Sequence, residues 1–171
     1  QKARPRDRKG GFVGFAPAFA GDNSGAGASR GSSREELLPL SHNQEEVQAI
    51  SHHFQQSQLL LGEDASVEEL VSNWENARFI HLATHAITDL DDPGQSFLAG
   101  STVATAGAEA RLPIAELYPF DLGAELVVLS GCGTQQGKEF YGEGIASLAQ
   151  AFYKMGAQSV LSTYWSVDDK S

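Results

Sequence analysis

One cysteine, Cys132, stands among 171 residues, so the chain can form no internal disulfide and its thiol remains to be explained. Nothing in that usage marks an oxidising compartment. No stretch of about 18 apolar residues occurs, which leaves no candidate for a membrane-crossing helix. The first ten residues lack the apolar core of a secretion signal. A cytoplasmic location is the expectation these absences leave. Positive charge is scarce beyond the amino terminus. Lys2, Arg4, Arg6, Arg8 and Lys9 are five of the twelve basic groups, so residues 11–171 carry seven against 21 acidic ones, a net of −14. A body of that sign repels phosphate backbones, which argues against direct nucleic-acid binding. It would suit a basic peptide, although solubility alone also accounts for an acidic surface.

Two further patterns are missing. The glycines around Cys132 and the Gly142-Glu-Gly144 stretch do not form G-x-G-x-x-G in a strand–turn–helix register, and no Walker lysine follows. His81-x-x-x-His85 lacks the glutamate of H-E-x-x-H and lies in a strand-like run, so His81 reads as a buried histidine and not as a ligand. No metal and no cofactor are expected.

What is present alternates between two periods. Residues 1–10 read as a basic linker or the tail of an upstream region, and residues 11–171 as one domain, with a flexible Gly/Ser/Ala-rich loop near 21–33. Gly11 to Ala16 predicts an edge or first strand. Val47, Ile50 and Phe54 predict a helix over 43–55. Leu59 to Leu61 predicts a short strand, and Asp64 or Ser66 a cap for a helix through Trp74. Arg78 to His85 and Glu125 to Ser130 are apolar runs of central-strand character. Between them, residues 87–107 predict loops with a small hairpin, and 112–117 a short helix. A helix over 142–155 presents Ile145, Leu148, Ala149, Phe152 and Met155 on one face. Gly156 stops it, and residues 159–165 form a last strand. Strands alternating with helices predict an α/β sandwich around a mainly parallel sheet.

In such sheets function gathers beyond the carboxyl ends of the strands. His85 and Cys132 each directly follow a strong strand. A cysteine nucleophile needs a thiolate and a group that takes and returns its proton. Gly131 and Gly133 leave room beside Cys132 for a substrate backbone and for converging amide N–H groups. The pairing of Cys132 with a histidine 47 residues upstream is close to the separation of about 50 in caspases, but Leu129-Ser-Gly-Cys-Gly-Thr134 lacks the caspase signature around the cysteine. By chemistry alone a small buried cysteine remains an open reading.

Five segments in order resemble the CHAT family of caspase-like, separase-related proteins: Pro39 to Glu46, Phe79 to His85, Leu126 to Cys132, Gly142 to Ala149, and Gly156 to Asp169, the last ending in Trp165-Ser-Val-Asp-Asp169. The resemblance spans roughly residues 37–169. It implies a caspase-like three-layer α/β sandwich and a cysteine endopeptidase in which His85 is the base and Cys132 the nucleophile. Backbone N–H groups of Ala86 and Cys132 would be the oxyanion donors. It further implies that the turn holding Asp168 and Asp169 shapes the pocket for the residue before the scissile bond, where a carboxylate would select Arg or Lys and Trp165 would form an apolar wall. Asp89, Asp91 and Asp92, after His85, read first as a solvated acidic turn. The implied partners are a protein or peptide substrate and a regulatory repeat or sensor domain that gates activity. Ala86 stands where the family commonly has glycine, and Gly131 where it often has alanine. The family usually continues with a further helix and strand, so the domain is expected to be truncated at its carboxyl end. The rival expectations are a non-catalytic caspase-like assembly module and, more weakly, another acyl transfer by the same dyad.

Overall fold

The computed structural model describes residues 10–19, 37, 39–87, 89, 92, 95–103, 110–132 and 141–162, with only the backbone of residues 131–132 and 141–147. In chain order these form β1 (Phe12–Pro17), α1 (Asn43–Ser51), β2 (Ser57–Gly62), α2 (Val67–Trp74), β3 (Phe79–Ile87), β4 (Phe97–Ala99), β5 (Arg111–Pro113), α3 (Ile114–Leu117), β6 (Leu126–Cys132), α4 (Tyr141–Lys154) and β7 (Val160–Ser162). The seven strands make one sheet. Five of them run parallel in the order β2-β1-β3-β6-β7, and β4 and β5 extend it antiparallel from the far end of β3.

The strand period sorts residues to two faces. Phe12, Ala16, Leu59, Phe79 and Ala83 face α1, where Val47 is fully buried. Val13, Phe15, Leu60, Ile80, Leu82, Val127 and Leu129 face the other way. They form the larger core with Leu70 and Trp74 of α2, Ile114 and Leu117 of α3, and Leu148 and Phe152 of α4. Helices thus cover both faces of the sheet, the three layers expected of a caspase-like α/β fold. The connection from β1 to β2 steps one way across the sheet and that from β2 to β3 steps back. With right-handed crossovers, α1 and α2 must then lie on opposite faces. The step back opens a crevice at the carboxyl ends of β1 and β3.

Several boundaries differ from the sequence expectation for physical reasons. β1 is interior, paired on one side with β2 and on the other with β3, and all six of its residues are buried. The first third of the expected 112–117 helix is strand: Arg111 to Pro113 pairs with β4, and Pro113 with its fixed φ starts the single turn of α3. Ser66 is the cap of α2, accepting from the Glu69 N–H at 3.2 Å. In α4, Leu148 and Phe152 are buried as expected, joined by Ala151 and by Met155 just after the helix, while Ala149 is only half-buried. Gly156 ends that helix with φ of +101°, a conformation costly for any residue with a Cβ.

One glycine fixes how closely α1 approaches the sheet. Gly14 lies on the α1 face of β1, and a Cβ there would overlap Val47 Cγ1 and press on the Phe12 ring. Gly14→Ala is therefore expected to destabilise the fold by about 1–3 kcal/mol through overpacking. Adding Val47→Ala, which removes the colliding methyl, should recover part of that loss in chemical denaturation. If the two changes lowered stability additively, the proposed collision would be wrong.

Candidate active site

β3 and β6 are neighbouring parallel strands, in step from Phe79 opposite Leu126 to Ala83 opposite Ser130. Their amino ends are joined by Arg78, whose Nε and Nη2 donate to the two carboxylate oxygens of Glu125 at 2.9 Å each. Beyond Ala83 the register shifts, and the next aligned pair is Ala86 with Cys132. Thr84 and His85 on β3 therefore oppose only Gly131 on β6. Such a one-residue bulge bends its strand and re-aims the side chains it carries. His85 sits in the bulge, and Cys132 is the last residue of the strand beside it.

The bulge is held from both sides. The Thr84 hydroxyl, itself buried, donates to the Ala99 carbonyl of β4 at 2.6 Å. Ala86 and Ile87 then pair with Leu98 and Phe97. His85 is fully buried. Its ring meets that of Phe19 edge-on, with centroids 4.6 Å apart and planes at 62°. Phe19 follows β1, so the contact closes the carboxyl ends of β1 and β3, the two strands that flank the crevice. The Phe19 backbone is steadied nearby, where Ala18 donates its N–H to the Gly62 carbonyl at 2.9 Å and accepts from Thr102 N–H at 3.1 Å.

A second polar cluster lies on the α1 side. Glu46 Oε1 is 2.7 Å from His81 Nε2, and His81 is 6% exposed. The bond to His81 holds the Glu46 carboxyl below its ordinary pKa, against the opposing effect of burial, with a smaller contribution in the same direction from Ser130. One turn earlier, buried Asn43 donates from Nδ2 to the Pro17 carbonyl at 2.9 Å and the Ala83 carbonyl at 3.2 Å. The polar residues of α1 thus reach the carboxyl end of β1 and the first half of β3.

Only some of the residues singled out in the sequence meet in the fold. His85, Ala86 and Cys132 come together at adjacent strand ends. His81 is buried against the Glu46 carboxylate. Asp89 forms a turn, its Oδ1 accepting from Asp92 N–H at 2.9 Å while its own N–H donates to Ser96 Oγ at 2.9 Å; Asp91 lies outside the described residues. Trp165, Asp168 and Asp169 also lie outside them. Among the described residues no group of three or more His, Cys, Asp or Glu could hold a metal ion, and no helix is long and apolar enough to cross a membrane. Sequence reasoning assigned no role to Phe19, Thr84, Glu46 or Ser130. A signal existed for Glu46: Asn43 and Glu46 share the inward face of α1 with Val47, at i, i+3 and i+4, where apolar residues would be expected.

A parallel α/β sheet with helices on both faces, carrying histidine and cysteine at the ends of adjacent strands, has the architecture of the caspase-like proteins. The CHAT domain family model matches residues 3–171, and the chain belongs to that family. No curated protein matches it.

The depressed Glu46 pKa makes a prediction about stability. A carboxyl lowered in the folded state stabilises the fold above its unfolded pKa, and that contribution disappears as pH falls through the folded value. Glu46→Gln should therefore cost stability at pH 6 and progressively less towards pH 3. Urea unfolding across that range measures it, and a pH-independent difference would refute this direction of linkage.

Proposed function

We propose that this domain is a cysteine endopeptidase in which Cys132 is the nucleophile and His85 its general base. The observation that carries the reading is the alignment of Ala86 with Cys132 across adjacent parallel strands, which brings the histidine bulge beside the only thiol in the chain. Membership of a caspase-like family supports the same assignment. His85 takes the thiol proton, and the thiolate attacks the scissile carbonyl carbon, forming a C–S bond as the carbonyl electron pair moves onto oxygen. Collapse breaks the C–N bond, and the leaving amine takes the proton from His85. Water, deprotonated by the same imidazole, then cleaves the thioester, releasing the acid and restoring the thiol.

The developing oxyanion needs N–H donors spared from the sheet ladders. The Cys132 amide at the strand terminus is the donor, while Ala86, with β4 on one side and β6 on the other, can serve as a second only if its ladder bond is released. Asp168 or Asp169 selects a basic residue before the scissile bond, with Trp165 as an apolar wall; this rests on the family resemblance and on the charge such a substrate carries. Activity is gated by a regulatory repeat or sensor domain. The full burial of His85 supports gating, because a substrate carbonyl reaches this imidazole only after its cover moves. That burial is equally what a non-catalytic assembly module would have.

Labelling with a peptidyl electrophile bearing arginine at its first position separates the two readings. Cys132 is expected to react, and His85→Ala and Cys132→Ala to lower peptide hydrolysis by about a thousandfold or more. A Cys132 no more reactive than an exposed model thiol would refute the peptidase. If either aspartate sets specificity, Asp168→Ala or Asp169→Ala abolishes the preference for basic over neutral peptides. A preference unchanged in both variants would dismiss that assignment.

A further inference from the structure

We infer that Thr84, the residue before His85, is a positioning residue: its hydroxyl fixes the histidine bulge to β4 and so holds the imidazole at the Cys132 strand end. The inference rests on the dyad reading above. Three observations converge on it. First, the ladders stop short of the bulge on either side. Phe79 to Leu82 are in register with β1, and Phe79 to Ala83 with β6. The next residues in register are Ala86, opposite Cys132 and Leu98, and Ile87, opposite Phe97. Thr84 and His85 lie between the two stretches, so strand pairing alone does not set where they sit. Second, the Thr84 hydroxyl reaches the strand that the ladder has not yet engaged. Continued one step back from Ala86 and Leu98, the antiparallel register would set Ala99 opposite His85. The Ala99 carbonyl accepts from Thr84 Oγ1 at 2.6 Å. Third, that acceptor is itself held. Ala99 pairs with Arg111 of β5, and it packs in the apolar cluster containing Phe19, whose ring meets that of His85. The hydroxyl therefore ties the bulge to the same packed unit that the imidazole rests on.

A bond in this setting differs from one made by a hydroxyl at the surface. Thr84 is 1% and Ala99 0% exposed, so solvent does not compete for either partner. The branched β-carbon of threonine restricts χ1, so a bonded hydroxyl constrains the backbone leading into His85. From the α1 side, Asn43 Nδ2 donates to the Ala83 carbonyl at 3.2 Å. Those two bonds fix the start of the bulge, and the pairing of Ala86 with Cys132 closes its end. Without the hydroxyl, His85 shifts relative to Cys132 while Ile80 and Leu82, which precede the bulge, keep their places in the larger core. A shift of about 1 Å between reacting groups can cost on the order of a hundredfold in rate.

The lone cysteine makes the test direct, because any thiol alkylation of the intact chain reports on Cys132. The measurement is the rate of alkylation by iodoacetamide from pH 5 to 9, in wild type, His85→Ala, Thr84→Val and Thr84→Ser, with a thermal melt of each. In wild type the profile is expected to extend to low pH, as a thiolate paired with an imidazolium does. Thr84→Val keeps the shape of the side chain and removes the hydroxyl. Its profile should move towards the ordinary thiol midpoint near 8.5, with the rate at pH 6 down about 10- to 100-fold. Thr84→Ser keeps the donor and should stay within about threefold of wild type. Should Thr84→Val fail to fold, Thr84→Ala, which sets no methyl against the Ala99 carbonyl, carries the same expected shift. If neither variant folds, the bond is one the fold itself requires, and the inference is overturned. A lower melting temperature with an unchanged alkylation profile would likewise make Thr84 merely structural. A Thr84→Ser profile as displaced as that of Thr84→Val would overturn the inference too, by showing that the methyl and not the hydroxyl matters. A wild-type profile identical to that of His85→Ala would instead remove the dyad, and this inference with it.

Discussion

The geometry of the candidate site depends on the parallel pairing of β3 with β6 and on the single extra residue that interrupts it. From Phe79 to Ala83 the register is set by burial, because Ile80, Leu82, Val127 and Leu129 must all enter the larger core. A slip of one residue would turn them outward. Arg78 and Glu125 close the amino end of the ladder with a bidentate pair, but both side chains are substantially exposed, and the pair acts as a stop more than as a source of stability. With that register fixed, the carboxyl ends of the two strands have to meet. The bulge at Thr84 and His85 then decides how they meet. It is pinned by the Thr84 hydroxyl, whose loss would strand the buried Ala99 carbonyl.

The surroundings of that meeting point follow from chain direction. Because β1 leads outward to β2 and the chain then returns to β3, the ends of β1 and β3 are not bridged by one crossover. The space left there is filled by Phe19 against His85, and Phe19 continues into an apolar cluster with Ile87, Phe97 and Ala99. A ring packed against an imidazole at this distance restricts rotation of both.

Much of this was legible in the sequence, and the limits have identifiable causes. The apolar runs before His85 and Cys132 announce interior strands, and alternation with helices announces a parallel sheet, so two strand ends in one sheet were legible, but not that the two strands are neighbours. The family resemblance supplied the roles proposed for them. The bulge was not legible, since Ala83-Thr-His-Ala86 has no glycine or proline to mark an interruption, and its cause is tertiary: the pairing of Ala86 and Ile87 with β4. Nor was β5, because Arg111-Leu-Pro113 has too few residues to show a period, and only the presence of β4 makes it a strand. β1 carries two glycines in or beside it, which weakened its signal, yet Gly14 is there because α1 lies too close for a side chain.

The polar face of α1 is where local and global requirements pull apart. A helix lying on a sheet is expected to bury apolar residues, and Val47 does. Asn43 and Glu46 flank it on the inward side, and burying an amide and a carboxylate there is unfavourable unless each finds partners. Both do: the Pro17 and Ala83 carbonyls for Asn43, and His81 for Glu46. Apolar residues at the same two positions could have covered the sheet equally well, but a hydrophobic contact is non-directional and tolerates sliding of α1 over the strands. Hydrogen bonds to named partners do not, so the polar contacts exchange some stability for a fixed placement of α1 on β1 and β3.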